Sequence, residues 1–421
     1  MLKKFPVSVA IAATAIMMSA CGDSASTDEK KAEGDSTAAS TTAGAAGVET
    51  KPANTNYKPA FEGQTRIGAV STKTPYDVKP LTKGLKNPWG IAVLPDGRLL
   101  ITEKAGALRI ATTDGKLSEP ITAGIPKVDP QGQGGLLGLT IDPAFATNKM
   151  VYWVFSEPSA NGNLTAVAKG KLSADEKSIE GAVTIYRATP YYKGQLHYGG
   201  RILFDKTGNL IVSTGERSDL ATRPQAQDLK SGLGKIVRIT TDGKAAPGNP
   251  TIGGAERPEL YTYGHRNVQS LAFHPQSGDL WEAEFGPRGG DELNRIEAGK
   301  NYGWPIITYG IEYAGPKIGD SIQQKDGMEQ PVYYWDPVLS PSGMTFYSSD
   351  SIPEWKNNLF ISGLSSQHIV RLVIENNKVV GEERLLSGEN KRFRAVMEGK
   401  DGALYAVTDE GDATLYRISK K

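Results

Sequence analysis

Cysteine is nearly absent: the 421 residues include one, Cys21. A single thiol cannot form an internal disulfide, and a zinc site of several cysteines is excluded. Histidine is scarce too, with His197, His265, His274 and His368 only. None has the spacing of a zinc-protease helix. An excess of one charge is also lacking, since 48 lysines and arginines stand against 47 acids. That balance gives no reason to expect a nucleic-acid partner. No helix-period stretch of useful length follows residue 66. There is no Gly-x-Ser-x-Gly elbow, phosphate loop or dinucleotide fingerprint in a strand-helix context. Serine hydrolysis and nicotinamide chemistry are therefore without support.

The N-terminus reads as an address. Lys3 and Lys4 precede an apolar run from Val7 to Met18, followed by small residues and Cys21. A charged n-region, a short h-region and a cleavage site make an export signal. The run is too short for a bilayer span, which needs roughly 20 residues. Met18-Ser19-Ala20-Cys21 resembles a bacterial lipobox. That resemblance implies a signal peptide over 1–20 and lipidation of Cys21. Gly22 after the cysteine resembles lipoproteins of the outer membrane, which places the chain on its periplasmic side. The next stretch is built of Ser, Thr, Ala, Gly, Asp, Glu and Lys. It cannot bury enough surface to fold, so residues 21–65 are expected to form a flexible, lipid-anchored tether.

From residue 66 to 421 the texture is that of one folded domain. Forty-eight glycines and 25 prolines suggest many turns. One motif recurs: a Gly or Asn turn, then Leu or another apolar residue, then an apolar run. It occurs at Asp96-Gly97-Arg98-Leu99, Asn148-Lys149-Met150-Val151, Gly208-Asn209-Leu210, Gly278-Asp279-Leu280, Asn357-Asn358-Leu359 and Asp401-Gly402-Ala403-Leu404. Turn-strand units repeating at roughly 40 to 50 residues or more suggest propeller blades. Six of them predict an all-β, six-bladed β-propeller. A pair of β-sandwiches with coincidental turns is the alternative. Insertions fall in the 210–280 and 280–359 intervals, where function is expected on loops.

Several segments carry chemistry. His197 precedes Tyr198-Gly199-Gly200-Arg201. Glycines there allow a ligand to approach the backbone, and the imidazole suits a general base. Taken alone, a structural histidine is the commoner outcome. Arg266 and Asn267 suit a carboxylate and a carbonyl, or a solvated loop. The run Glu284 to Glu292 gathers carboxylates and turn carbonyls, which suits calcium or an acidic turn. Arg392 and Arg394 flank Phe393 and share one face of an expected strand, which suggests an anionic ligand or a solvated edge. The glycine-rich loop Gln131 to Gly138 lacks the Lys and Thr of a nucleotide loop.

As an ordered set these segments are far more specific. The chain resembles the quinoprotein sugar dehydrogenases that use pyrroloquinoline quinone (PQQ), in particular the soluble aldose sugar dehydrogenase branch. The motifs are Gln133-Gly134-Gly135-Leu136-Leu137-Gly138, His197-Tyr198-Gly199-Gly200-Arg201, Gly264-His265-Arg266-Asn267 and Gly286-Pro287-Arg288-Gly289-Gly290-Asp291-Glu292. Asn301-Tyr302-Gly303-Trp304-Pro305, Ser342-Gly343-Met344 and Arg392-Phe393-Arg394 complete the set. The resemblance implies a six-bladed propeller. It implies His197 as the base that takes the sugar hydroxyl proton. It implies Gln133, Arg266, Asn267, Tyr313 and the Arg392-Phe393-Arg394 segment as cofactor contacts. Gly286 and Pro287 match carbonyls for the calcium at the cofactor, and Glu292 and Tyr302 match ligands of a structural calcium, the tyrosine through its carbonyl.

Two departures stand out. Soluble glucose dehydrogenase has Asp before the histidine, where this chain has Leu196. The family has a Lys at the position of Ser365, so Gly363, Leu364 and Ser365 are expected to be backbone contacts at most. The expected activity is oxidation of aldose sugars to lactones, with electrons passing to an acceptor in the envelope. A calcium-dependent propeller lactonase and a non-catalytic binding propeller are the alternatives. Arg266, Arg392 and Arg394 argue against the first, and Ser365 favours the second.

Overall fold

The computed structural model describes residues 47–421. The signal segment, Cys21 and the first part of the tether lie outside the described residues. Within them the chain is a six-bladed β-propeller, with six antiparallel sheets arranged in a ring. Blade 1 has three strands, Pro88–Val93, Leu99–Glu103 and Ala107–Ala111. Blade 2 runs Leu136–Ile141, Met150–Ser159, Gly162–Leu172 and Ile179–Arg187, and blade 3 runs Ile202–Phe204, Leu210–Ser213, Lys235–Ile239 and Leu260–Tyr263. Blade 4 runs Val268–Phe273, Leu280–Glu284, Asp291–Ile296 and Tyr333–Trp335, and blade 5 runs Pro341–Phe346, Leu359–Gly363, Ile369–Glu375 and Lys378–Leu385. Blade 6 takes Phe393–Glu398, Leu404–Thr408 and Ala413–Lys420 from the C-terminus. Its fourth strand is the first in the chain, Tyr76–Leu85, paired from Tyr76↔Lys420 to Leu85↔Ala413.

Each of the six turn motifs leads into the second strand of a different blade. The reason is local. At each turn one residue adopts positive φ: Gly97, Lys149, Gly208, Gly278, Asn357 and Gly402. Tight turns between antiparallel strands favour such conformations, which Gly and Asn reach at little cost.

The strands bury both faces. Leu99 and Ile101 face blade 6, beside Ala395, Tyr405 and Leu415, while Leu100 faces blade 2, beside Trp153 and Phe155. The same division recurs around the ring, so an apolar cluster fills each of the six seams. This explains apolar runs in place of the alternation of a half-solvated sheet.

The tether expectation needs correction over residues 47–65. Asn54 and Thr55 donate both backbone and side-chain hydrogen bonds to the Asp336 carboxylate, at 2.7–3.0 Å. Arg66 reaches the Asp336 carbonyl at 2.6 Å. Gln64 is fully buried and donates to the Pro331 carbonyl at 2.9 Å. Composition missed this because polar side chains hold the segment to blade 4 through hydrogen bonds, without apolar burial of their own.

Leu415 sits, fully buried, at the seam where the ring closes. Leu415→Ala should lower unfolding free energy by about 2–5 kcal/mol. Urea denaturation checks this; a change within about 0.5 kcal/mol, as at an exposed site, would mean the seam is not tightly packed.

Candidate active site

In an antiparallel blade the start of the first strand and the end of the second lie at the same end of the sheet. The candidate residues occupy these positions. Gln133, His197, Arg266 with Asn267, and Arg392 stand just before the first strands of blades 2, 3, 4 and 6. Lys104, Phe285, Leu364 and Asp409 lie at or just beyond the ends of second strands. A cavity of about 270 Å³ is lined by Asn87, Trp89, Lys104, Gln133, Gln269 and Leu364, with Arg392, Arg394 and Asp409. A larger hollow, about 760 Å³, lies between blades 3 and 4 beside the Asp205 and Gly278 turns, at the other end of these strands. It contains none of the candidate residues.

His197 is buried, at positive φ, in the loop that enters blade 3. Its Nδ1 lies 2.6 Å from Glu216 Oε1, and its amide donates to Gln133 Oε1 at 2.9 Å. A carboxylate only accepts, so Nδ1 carries the hydrogen and Nε2 holds the lone pair. Burial, then the Arg266 charge, push the imidazole down to about 4, against the pull of Glu216. The ring is thus a neutral base at ordinary pH. Glu216 was not anticipated, since it lies 19 residues away and joins His197 only through the blade 3 hairpin. The carboxylate beside the histidine therefore does not come from position 196. Leu196 is half-exposed, and its carbonyl accepts from Arg217 Nε at 3.0 Å.

Arg266 and Asn267 stand together at the entry to blade 4. Their amides donate to Glu284 Oε2 at 2.5 and 3.2 Å. The Arg266 guanidinium reaches the carbonyls of Phe285 and Gly286, at 3.0 and 2.6 Å. Arg266 Nε, Asn267 Nδ2 and Glu216 Oε2 are buried without a protein partner. Buried polar atoms in that state mark where a polar ligand fits.

Arg392 and Arg394 share one face, as strand alternation requires, and both grip Asp409. Arg392 bonds Oδ2 at 3.1 and 2.9 Å, and Arg394 bonds Oδ1 at the same distances. Arg394 also donates to Gln269 Oε1 at 2.9 Å. Below them Arg201 stacks on Trp89, 4.2 Å from the ring centroid, and bonds the carbonyls of Gln269 and Ser342.

Acidic groups gather behind Arg266. Glu282 and Glu284 share one strand face, and both lie close to His265. Glu292 is the cross-strand partner of Glu284. Burial, then the Glu284 charge, push Glu282 and Glu292 well above the usual carboxylate range. Such a group of buried acids calls for a cation. Glu284, Gly286, Glu292, Tyr302 and Trp304 line a void of about 10 Å³. Asp291 accepts the amides of Gly286 and Ser340, at 2.7 and 2.5 Å, and so fixes the Gly286-Pro287 turn.

The sequence profile of the glucose/sorbosone dehydrogenase family matches residues 85–417. The chain belongs to this family. It is 41% identical over 350 residues to aldose sugar dehydrogenase YliI of Escherichia coli strain K12, spanning 82% of this chain and 93% of that one. The apo crystal structure of the soluble aldose sugar dehydrogenase from Escherichia coli superposes with a TM-score of 0.78 at 40% identity, covering 82% of this chain and 100% of that one. The PQQ-bound aldose sugar dehydrogenase from Streptomyces coelicolor gives 0.67 at 30% identity, covering 83% and 100%.

Not every candidate residue reaches the cavity with its side chain. Phe393 points the other way and is fully buried against Tyr416 between blades 5 and 6, because it alternates with its arginine neighbours. Tyr313 is 68% exposed on its loop and does not line the cavity. Gly363 ends its strand, and a Cβ there would meet Ser366 and Leu339. Ser365 is exposed and its hydroxyl bonds that of Ser340 at 2.6 Å. The Tyr302 ring stacks on His265 and its hydroxyl donates to the Arg295 carbonyl, which leaves the Tyr302 carbonyl as the expected ligand atom.

Because the Glu216 charge raises the His197 pKa, Glu216→Gln should move it below its already low value. An imidazole NMR titration reads this directly; an unmoved or rising midpoint would show that the carboxylate does not act on the ring.

Proposed function

We propose that this chain is a PQQ- and calcium-dependent aldose dehydrogenase. It oxidises the anomeric carbon to a lactone and passes electrons to an acceptor in the envelope. In this reading it is exported and held on the periplasmic side of the outer membrane through lipidated Cys21. The observation that carries the enzymatic reading is the cavity lining. Three cations and one carboxylate face a single cavity, and a neutral histidine base is tied to its wall through Gln133.

The residues fit the cofactor. PQQ bears three carboxylates, and the excess of cations matches a concentrated negative charge. The unpartnered Arg266 Nε and Asn267 Nδ2 are two further buried donors outside the cavity lining, joined to it where Arg266 bonds the carbonyl of Phe285, a lining residue. Arg392, Arg394, Gln133, Arg266 and Asn267 would hold the quinone. The carbonyls of Gly286 and Pro287 would hold the calcium next to it. Glu292, with Glu282 and Glu284 nearby, suits the structural ion. When bound, the quinone supplies the two-electron acceptor.

The remaining work belongs to the protein. His197 Nε2 takes the proton of the anomeric hydroxyl. Glu216 holds the ring's orientation and stabilises the imidazolium that results. Trp89 lines the cavity, and the Arg201 guanidinium stacks on its ring.

The test is reconstitution of the cofactor-free protein with PQQ and calcium, followed by dye reduction with a panel of aldoses. Sugar-dependent reduction that needs both additions is expected; no reduction with any sugar would remove the dehydrogenase reading. His197→Ala should lower turnover by about 10²- to 10⁴-fold with PQQ affinity retained. Unchanged turnover would remove His197 from the mechanism. In the parent, the base form persists above the lowered pKa of about 4. Turnover should therefore hold through the range where an ordinary histidine, near 6.5, is protonated, and fall only below it. A pH–rate profile with its acid limb near 6.5 would contradict this.

A further inference from the structure

We propose that Lys104 supplies, from blade 1, the cofactor-binding ammonium that the family supplies from the position of Ser365 in blade 5. The assignment rests on the quinoprotein reading above.

The argument begins with equivalence of position. Lys104 is the first residue beyond the second strand of blade 1, Leu99–Glu103. Ser365 is the second residue beyond the second strand of blade 5, Leu359–Gly363. Both segments border one cavity, which Lys104, Leu364 and Ser340 all line. At the blade 5 position no charge is present, and the Ser365 hydroxyl is bonded to Ser340. At the blade 1 position an ammonium is present and is held in place. Lys104 Nζ donates to the Gly132 carbonyl at 2.7 Å. Gly132 also lines the cavity and adjoins Gln133, the residue that accepts the His197 amide.

The electrostatics agree. Lys104 is half-buried, and its pKa is lowered by that burial, then by the Arg394 charge, with Asp409 opposing. Both named charges line the same cavity, so the ammonium acts on the space the cofactor would fill. Asp409 is already engaged by four N–H donors from Arg392 and Arg394. It offers little neutralisation to a third cation. An ammonium beside the Arg394 charge, with no salt-bridge partner of its own among the described residues, is stabilised by an anionic ligand. The backbone around Lys104 is set independently of its side chain. Its amide donates to the Asn87 carbonyl at 3.1 Å, and its carbonyl accepts from Leu136 at 3.0 Å. Substitution at 104 should therefore leave the fold intact.

The experiment measures PQQ affinity of cofactor-free protein, without sugar, by quenching of tryptophan fluorescence; Trp89 lies in the cavity wall. Lys104→Gln should weaken binding tenfold or more, the usual size of a lost charge-assisted contact. Lys104→Arg should stay near the parent, and thermal midpoints of all variants should agree. Ser365→Lys added to Lys104→Gln should regain most of the loss, since it returns the ammonium to the same cavity from blade 5. Lys104→Gln at parental affinity, beside a weakened Arg394→Ala, overturns this assignment and leaves the quinoprotein reading standing. A double variant no better than Lys104→Gln also overturns it. A parent that takes up no PQQ overturns both.

Discussion

The pairing of Tyr76–Leu85 with Ala413–Lys420 joins the first strand of the propeller to the last, with no disulfide to assist it. Each blade buries its two faces against two neighbours, so no blade can keep its apolar runs from water unless the ring is complete. Closure also brings the strand ends of all six blades to one rim. Blade 1 and blade 6 then pack side by side, and Lys104 and Asp409, each just beyond a second strand, line the same cavity. The site is a product of closure.

Charge is sorted across that rim. Lys104, Arg392 and Arg394 line the cavity, while Glu282, Glu284 and Glu292 sit on the second and third strands of blade 4. Arg266 lies between the two groups. Its amide is held by Glu284, and its guanidinium lies 5.2 Å from the Trp304 ring centroid and against the Gly286 carbonyl. Loss of either group would leave the other uncompensated in a low-dielectric setting, because buried charges of one sign raise the cost of one another. His197 gains from this arrangement. Burial and the Arg266 charge keep it neutral, and Glu216 fixes its tautomer.

Much of this was legible in the chain itself. The six turns were readable because a turn with positive φ favours Gly or Asn, which hold it at five of the six, and because the strand that follows is apolar. The arginine pair at 392 and 394 was readable because strand alternation puts i and i+2 on one face, and the same rule buries Phe393 between blades. His197, Arg266, Asn267 and the Gly286 turn were readable as compact motifs. The segment 47–65 was not, because its attachment to Asp336 rests on hydrogen bonds from Asn54 and Thr55 to a residue about 280 positions away.

The sequence by itself determined the blade count and the identity of the short polar segments, since both follow from backbone preferences within a few residues. The tertiary structure alone decided which groups face one another. Glu216 reaches His197, Asp409 bridges Arg392 and Arg394, and Lys104 lines the same cavity as Ser340, because second strands return to the rim where first strands begin. That meeting depends on sheet register and ring closure, and neither is a property of any local stretch of chain.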